Sequence, residues 1–265
     1  MELSAGIYCF YNGYSHAPSS VFITMNKEDK NKTKYILGIT AHPDDHISFA
    51  GTVIKLGKMG YSYAEIVLSD AEESGMVKGG QRLVRVDKRE HLDVRWNTEF
   101  AEAARILNIK SLYRLGLPNI GIEYSKNTAL TIMQIVRSVR PEIAFVHHPS
   151  DYMSDHIQAA YVSLEAIKLA AYSFRLDLGN NWRTPVVLHF EGVNPIDAQV
   201  LVDISAEFEE KLKVLHAYGS QFGDRSFQLT EGAAKYRGYA RRTALAEAFE
   251  VPKNYPMWEI GGALK

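Results

Sequence analysis

From Lys34 onward the chain alternates between two hydrophobic periods, and this alternation is what most constrains its fold. Short apolar runs that stop abruptly are followed by longer segments with apolar residues three and four positions apart. "KYILGITA" reads as a buried strand, and "ISFAGTVIKLGKMG" as a helix closed by Gly60. "YAEIVLSD" is a second strand. "NTEFAEAARILNI" is a helix with Asn97 or Thr98 as its cap, and "SLYRLGL" is a third strand. "NTALTIMQIVRSVR" is a helix stopped by Pro141, "EIAFVHH" a fourth strand, and "SDHIQAAYVSLEAIKLAAY" a helix capped by Ser154 or Asp155. "PVVLHFEGV" and "AQVLVDIS" are further strands. Ser205 is expected to cap "AEFEEKLKVLHAYGS", and a last helix to cover about 231–249. Helices between strands of this length imply a doubly wound, mostly parallel sheet with helices on both faces, a Rossmann-like α/β fold. In the common order 3-2-1-4-5 the first and fourth strands are neighbours, and the crevice beyond their carboxyl ends is where ligands bind.

Two clusters of metal-ligand residue types stand at that crevice. "AHPDDH", Ala41 to His46, ends the first strand, and "HHPSDYMSDH", His147 to His156, follows the fourth. Adjacent aspartates among imidazoles are costly unless a positive charge sits between them. A bound metal ion supplies it. Imidazole with carboxylate suits one Zn²⁺ per chain, with Fe²⁺ or Mn²⁺ as alternatives. His42 and Asp45, three apart across a proline turn, and His156 from the helix start opposite are the expected ligands. Asp44 then lies beside the ion without binding it, where a general base belongs. Asp155 is placed to hold a ligand ring.

These motifs resemble the PIG-L/LmbE-like family of zinc-dependent N-deacetylases. "AHPDDH" is similar to that family's AHPDDE, and "HPSDYMSDH" to HPxDxHxDH. The likeness runs from about residue 34 to 250 through "TEFAEAARILNI", "RLGLPN", "KLKVLHAYGSQ" and "AEAF". It implies an LmbE-like three-layer sandwich. It also implies hydrolysis of an N-acetyl group, typically from a glucosamine-containing sugar or glycoconjugate. His42, Asp45 and His156 match the zinc ligands, and Asp44 the base. Three positions depart from the pattern. His46 replaces a Glu, Asn119 replaces an Asp associated with substrate contacts, and Met153 replaces a His that stabilises the oxyanion or protonates the leaving amine. A thioether does neither well. His46, Tyr152, His147 and His148 are the substitutes available, and Asp151 and Asp155 the carboxylates that support the ligands.

The long charged stretch 71–95 is too long for a plain connection and reads as a functional loop. Of its arginines Arg82, Arg85, Arg89 and Arg95, Arg95 is the preferred substrate contact because it lies next to a helix start. His16, His91, His189 and His216 are expected to be ordinary loop or core histidines.

Composition limits the partners. The 265 residues are 46% hydrophobic and 23% charged, with a formal net charge of -1, so bulk attraction to nucleic acid or anionic lipid is not expected. No run approaches a membrane span. The single Cys9 and the lack of a convincing signal segment point to a reducing, cytoplasmic setting. Residues 1–33 read as an N-terminal extension and 34–265 as one domain; self-association is open. Three rivals stand beside the deacetylase. A dinucleotide-binding protein needs a glycine-rich turn that "AHPDDH" lacks. A non-catalytic metal binder is motivated by Met153. An amidase for another small amide would share the chemistry.

Overall fold

The computed structural model describes residues 33–72, 76–78, 81–83 and 92–255, and for 76–78 and 81–83 the backbone alone. Residues 1–32 of the expected extension, Cys9 and His16 among them, with Arg85, Arg89, His91 and the side chain of Arg82, lie outside the described residues.

Nine strands are described: β1 Lys34–Thr40, β2 Tyr61–Ser69, β3 Met76–Lys78, β4 Gln81–Leu83, β5 Ile109–Leu117, β6 Ile143–Val146, β7 Val186–Phe190, β8 Val200–Asp203 and β9 Ala246–Glu250. The helices are α1 Ala50–Lys58, α2 Ala101–Leu107, α3 Lys126–Val139, α4 Ser154–Ala171, α5 Phe208–Ala217 and α6 Asp224–Arg241. Seven strands form one sheet in the order β5-β2-β1-β6-β7-β9-β8. The first five are parallel, and β9 runs antiparallel to both β7 and β8. Leaving aside the separate β3–β4 hairpin, β5 is the third strand and β6 the fourth, so the expected 3-2-1-4-5 order holds. β1 and β6 are paired, with Ile36 opposite Ile143 and Ile39 opposite Val146.

Both faces of the sheet are covered, so β1 is buried from Ile36 to Thr40. Strand alternation divides its residues. Leu37 and Ile39 pack with Ile132 and Val136 of α3 and Val162 and Ile167 of α4. Ile36 packs with Val53 and Ile54 of α1 and Val214 and Leu215 of α5. Gly38 faces that second layer. A Cβ there would collide with the Tyr63 hydroxyl and stand 3.0 Å from Phe49 Cζ, so the ring packing under the site loop requires glycine.

Several local expectations are corrected. The "AEAF" segment is strand β9, not the end of a helix. α6 stops where Arg242 turns left-handed at φ 61°, and all five residues of β9 are buried. Glu247 is spent inside: its carboxylate accepts the Gly51 and Thr52 amides at 2.9 and 2.7 Å and pairs with Lys211 at 2.7 Å. Ser205 caps no helix; its hydroxyl donates to Asp203 at 2.6 Å, and α5 begins at Phe208. Neither Ser154 nor Asp155 is the cap of α4. Met153 holds that position with no side-chain bond to the helix, and Asp155, inside the first turn, is turned inward to the site. Asn97 and Thr98 also cap nothing: the chain is already helical at Leu92, and a π-helical turn over Val94–Phe100 leads into α2.

Candidate metal centre and active site

The turn after β1 is fixed by its own side chain. The His42 amide donates to Asp45 Oδ2 at 2.7 Å, and the Ser69 amide at the end of β2 donates to Ala41 O at 2.8 Å. A 3₁₀ turn over Asp45–Phe49 follows and runs into α1. Across the crevice, β6 ends at Val146, and the loop 147–153 delivers His156 on the first turn of α4. The two sequence clusters therefore meet at the switch point.

His42 and His156 are buried and Asp45 is half-buried, and one donor atom from each lies within 4.8 Å of the others. Asp45 Oδ1 is 3.2 Å from His156 Nε2, and Asp45 Oδ2 is 3.8 Å from His42 Nδ1. Two carboxylates hold the rings from behind. Asp155 Oδ2 is 3.1 Å from His42 Nε2 and also accepts the Ile120 amide at 2.8 Å. Asp151 Oδ1 is 3.2 Å from His156 Nδ1, and the carboxylate accepts the Met153 and Val193 amides.

Electrostatics mark the spot for a cation. Burial disfavours charge on His156, but Asp45 and Asp151 outweigh it and lift its pKa to about 10. Burial likewise opposes charge on His42, and Asp155 with Asp45 and Asp44 lifts it to about 9. Burial pushes Asp45 up, yet His156 and His147 hold it well below the usual carboxylate range. Both nitrogens of His156 lack an aligned hydrogen-bond partner although carboxylates stand near them. Orphaned imidazole nitrogens between two carboxylates fit a divalent ion, the charge these groups lack. Among the described residues, Arg95 is the single guanidinium or ammonium within ion-pair reach of Asp44, Asp45, Asp151 or Asp155.

Asp44 stands apart from the three clustered side chains. Its Oδ2 is 3.1 Å from Arg95 Nη2, a guanidinium 1% exposed. The π-helical turn buries Arg95 there; Nη1 is 3.9 Å from Glu99 Oε2, and neither Nε nor Nη1 has a hydrogen-bond partner among the described residues. Sequence reading picked Arg95 as a substrate contact. The structure adds that it is the ion partner of Asp44, 51 residues away in sequence.

The other candidates divide. His46 is fully buried and turned away from the crevice. Its Nδ1 lies 3.0 Å from both oxygens of Glu65, and its Nε2 lies 3.0 Å from the Tyr218 hydroxyl. It buttresses the turn and is not positioned to serve as an oxyanion donor. Tyr152 is 76% exposed, and Met153 is 39% exposed at the helix start. Asn119 is half-buried in the turn whose next amide, Ile120, holds Asp155. Strand alternation separates the paired histidines. His147 points inward, its Nε2 3.0 Å from Asp45 Oδ2, while His148 faces Glu250 at 3.1 Å. Sequence reading named both without choosing; the alternation of β6 was the available signal. His189 is a core residue as expected, donating Nδ1–H to the His147 carbonyl, and the His216 ring lies tilted against Phe227 with centres 4.0 Å apart.

An α/β protein with an imidazole–carboxylate cluster in the crevice at its β1/β6 switch point has a candidate metal centre, and sequence comparison shows what it is similar to. The family described as "PIG-L: GlcNAc-PI de-N-acetylase" matches residues 37–167, a span that includes both site motifs, and over it the chain is similar to this PIG-L/LmbE-like family. A diacetylchitobiose deacetylase of Thermococcus kodakarensis is 26% identical over 242 residues, spanning 83% of this chain and 84% of the relative. The N,N'-diacetylchitobiose deacetylase of Pyrococcus horikoshii superposes with a TM-score of 0.72 at 23% identity, over 84% of this chain and 85% of its own. A 4-carboxy-2-hydroxymuconate hydratase of Pseudomonas putida superposes at 0.69 with 21% identity, over 84% and 100%. These superpositions share the fold, and a fold hosts more than one reaction.

Proposed function

We propose that the chain is a metal-dependent N-deacetylase that removes the acetyl group from an N-acetylglucosamine-type sugar or glycoconjugate. The observation that carries this reading is the cluster of His42, Asp45 and His156, with Asp44 beside it and outside it. The family match and the named activity of the Thermococcus relative support it.

In this reading His42, Asp45 and His156 hold one Zn²⁺, with Fe²⁺ or Mn²⁺ as alternatives. When bound, the ion polarises the acetamide carbonyl and makes water a better nucleophile near neutral pH. Asp44 takes one proton from the attacking water and returns it to the nitrogen as the C–N bond breaks. Acetate and a free amine result. Arg95 keeps the Asp44 carboxylate aimed into the crevice through its ion pair, and Glu99, 3.9 Å from Nη1, holds the guanidinium from its other side. Asp151 and Asp155 fix the rings of His156 and His42. Met153 contributes no proton. The oxyanion therefore loses one donor that the family pattern supplies, a loss of roughly 3–4 kcal/mol of transition-state stabilisation where nothing replaces it.

The test is a mass-spectrometric assay of zinc-loaded protein on a panel of N-acetylated sugars. Loss of acetyl by the parent, with Asp44→Asn retaining zinc but losing the activity, is the expected result. An Asp44→Asn protein as active as the parent removes the base assignment. Zinc binding with no turnover on any member of the panel favours the non-catalytic reading.

A further inference from the structure

We propose that a second divalent cation binds beside the first, in a site made by His147, Asp151 and the far nitrogen of His156. The proposal rests on the first ion being held by His42, Asp45 and His156, but not on the reaction it serves.

Three observations point to it. One donor atom each from His147, Asp151 and His156 lie within 4.8 Å of one another, and all three residues are buried. His156 faces a carboxylate on each side: Nε2 is 3.2 Å from Asp45 Oδ1, and Nδ1 is 3.2 Å from Asp151 Oδ1. Its ring thus separates two acidic positions, and the first ion needs only one of its nitrogens. His147 is 1% exposed, and its Nδ1 has no hydrogen-bond partner among the described residues. Its Nε2 lies 3.0 Å from Asp45 Oδ2; in the tautomer that donates there, Nδ1 carries the lone pair, and the Ala41 amide, also 3.0 Å from Nε2, gives up its contact. A buried, unpartnered ring nitrogen next to a fixed carboxylate is costly as it stands. A cation relieves it.

The donor set also fits chemically. Asp151 is pre-placed, because the Met153 amide bonds Oδ1 at 3.0 Å and the Val193 amide bonds Oδ2 at 3.3 Å, which leaves lone pairs free on both oxygens. Two imidazole nitrogens and one carboxylate oxygen form the three-ligand set that zinc takes with a water as fourth. When both ions are bound, His156 bridges them as imidazolate, and the proton on its Nδ1 passes to solvent. Two dications across one ring repel, so the second ion binds more weakly, by about 100-fold or more. It also takes His156 Nδ1 away from Asp151, the contact that orients the ring for the first ion. Excess zinc is therefore expected to inhibit.

Isothermal titration with zinc chloride, with metal counted by mass spectrometry of the same samples, tests this. The parent should show a tight equivalent followed by a weaker one. His147→Gln and Asp151→Asn should lose the weaker phase, and His147→Gln should keep the tight one. One equivalent only, up to millimolar zinc, overturns the proposal, as do two unchanged phases in both variants. Circular dichroism establishes whether the variants fold. If they do not, anomalous scattering from parent crystals soaked in excess zinc decides. A second peak bonded to His147 and Asp151 supports the site, and a single peak at His42, Asp45 and His156 removes it. Two ions without hydrolysis would defeat the deacetylase reading alone; one ion with hydrolysis would defeat the second site alone.

Discussion

Tyr218→Phe removes a single oxygen from beneath the site turn, and the structure sets the size of the effect. Tyr218 is fully buried, and its hydroxyl donates to the Pro43 carbonyl at 2.7 Å. That oxygen also lies 3.0 Å from His46 Nε2, whose Nδ1 faces Glu65 at 3.0 Å. One hydroxyl proton serves Pro43, which leaves the oxygen to accept from His46. The variant therefore strands two buried groups, the Pro43 carbonyl and the His46 Nε2–H. At about 1–3 kcal/mol for each buried group left unpaired, and with partial relaxation, the expected destabilisation is about 2–4 kcal/mol. The cavity term is small, because one oxygen is lost. Urea denaturation at pH 7 reads it as a lower midpoint with unchanged slope. Because Pro43 sits between His42 and Asp44, zinc affinity should fall with it. A stability change under about 0.5 kcal/mol, the size of an ordinary surface substitution, with unaltered zinc affinity would refute the claim that Tyr218 and His46 brace this turn.

Two further outcomes follow from the same contacts. Asp155→Asn removes the charge that orients His42, and the affinity for zinc measured by competition with a chelator should drop roughly 10–100-fold. Burial lowers the pKa of His189 from 6.5 to about 4. The unfolded chain then takes up a proton below pH 6.5 that the folded chain refuses until about pH 4. Stability should fall as pH drops through that window, by about 3 kcal/mol from this residue, and level off below it. NMR titration of the His189 ring checks the value: a midpoint near 6.5 would contradict the burial argument.

The core sheet and the meeting of the two motifs were readable because they depend on local signals. Strand ends are marked by abrupt stops in apolar runs, and the 3-2-1-4-5 order then brings His42 and His156 to one crevice. What stayed hidden depends on direction or distance. His46 lies one residue after Asp45, yet the 3₁₀ turn points it at Glu65 and Tyr218. No periodicity in six residues distinguishes those directions. The Arg95–Asp44 pair joins elements 51 residues apart through a π-helical turn, a geometry that sequence propensity does not signal. β9 was misread because alanine and glutamate favour helix. Pairing with β7 and β8, and the use of Glu247 by Lys211 and the start of α1, override that preference. His147 needed the strand register of β6 before it could be told from His148.

The account stands on one cation held jointly by the turn after β1 and the start of α4. Crystals loaded with one equivalent of zinc, measured across the zinc absorption edge, test that directly. The expected result is a single anomalous peak at about 2.0–2.2 Å from His42, Asp45 and His156, with Asp44 nearby and unbonded. A map with no peak between those elements, or with the ion bound elsewhere on the chain, would contradict it.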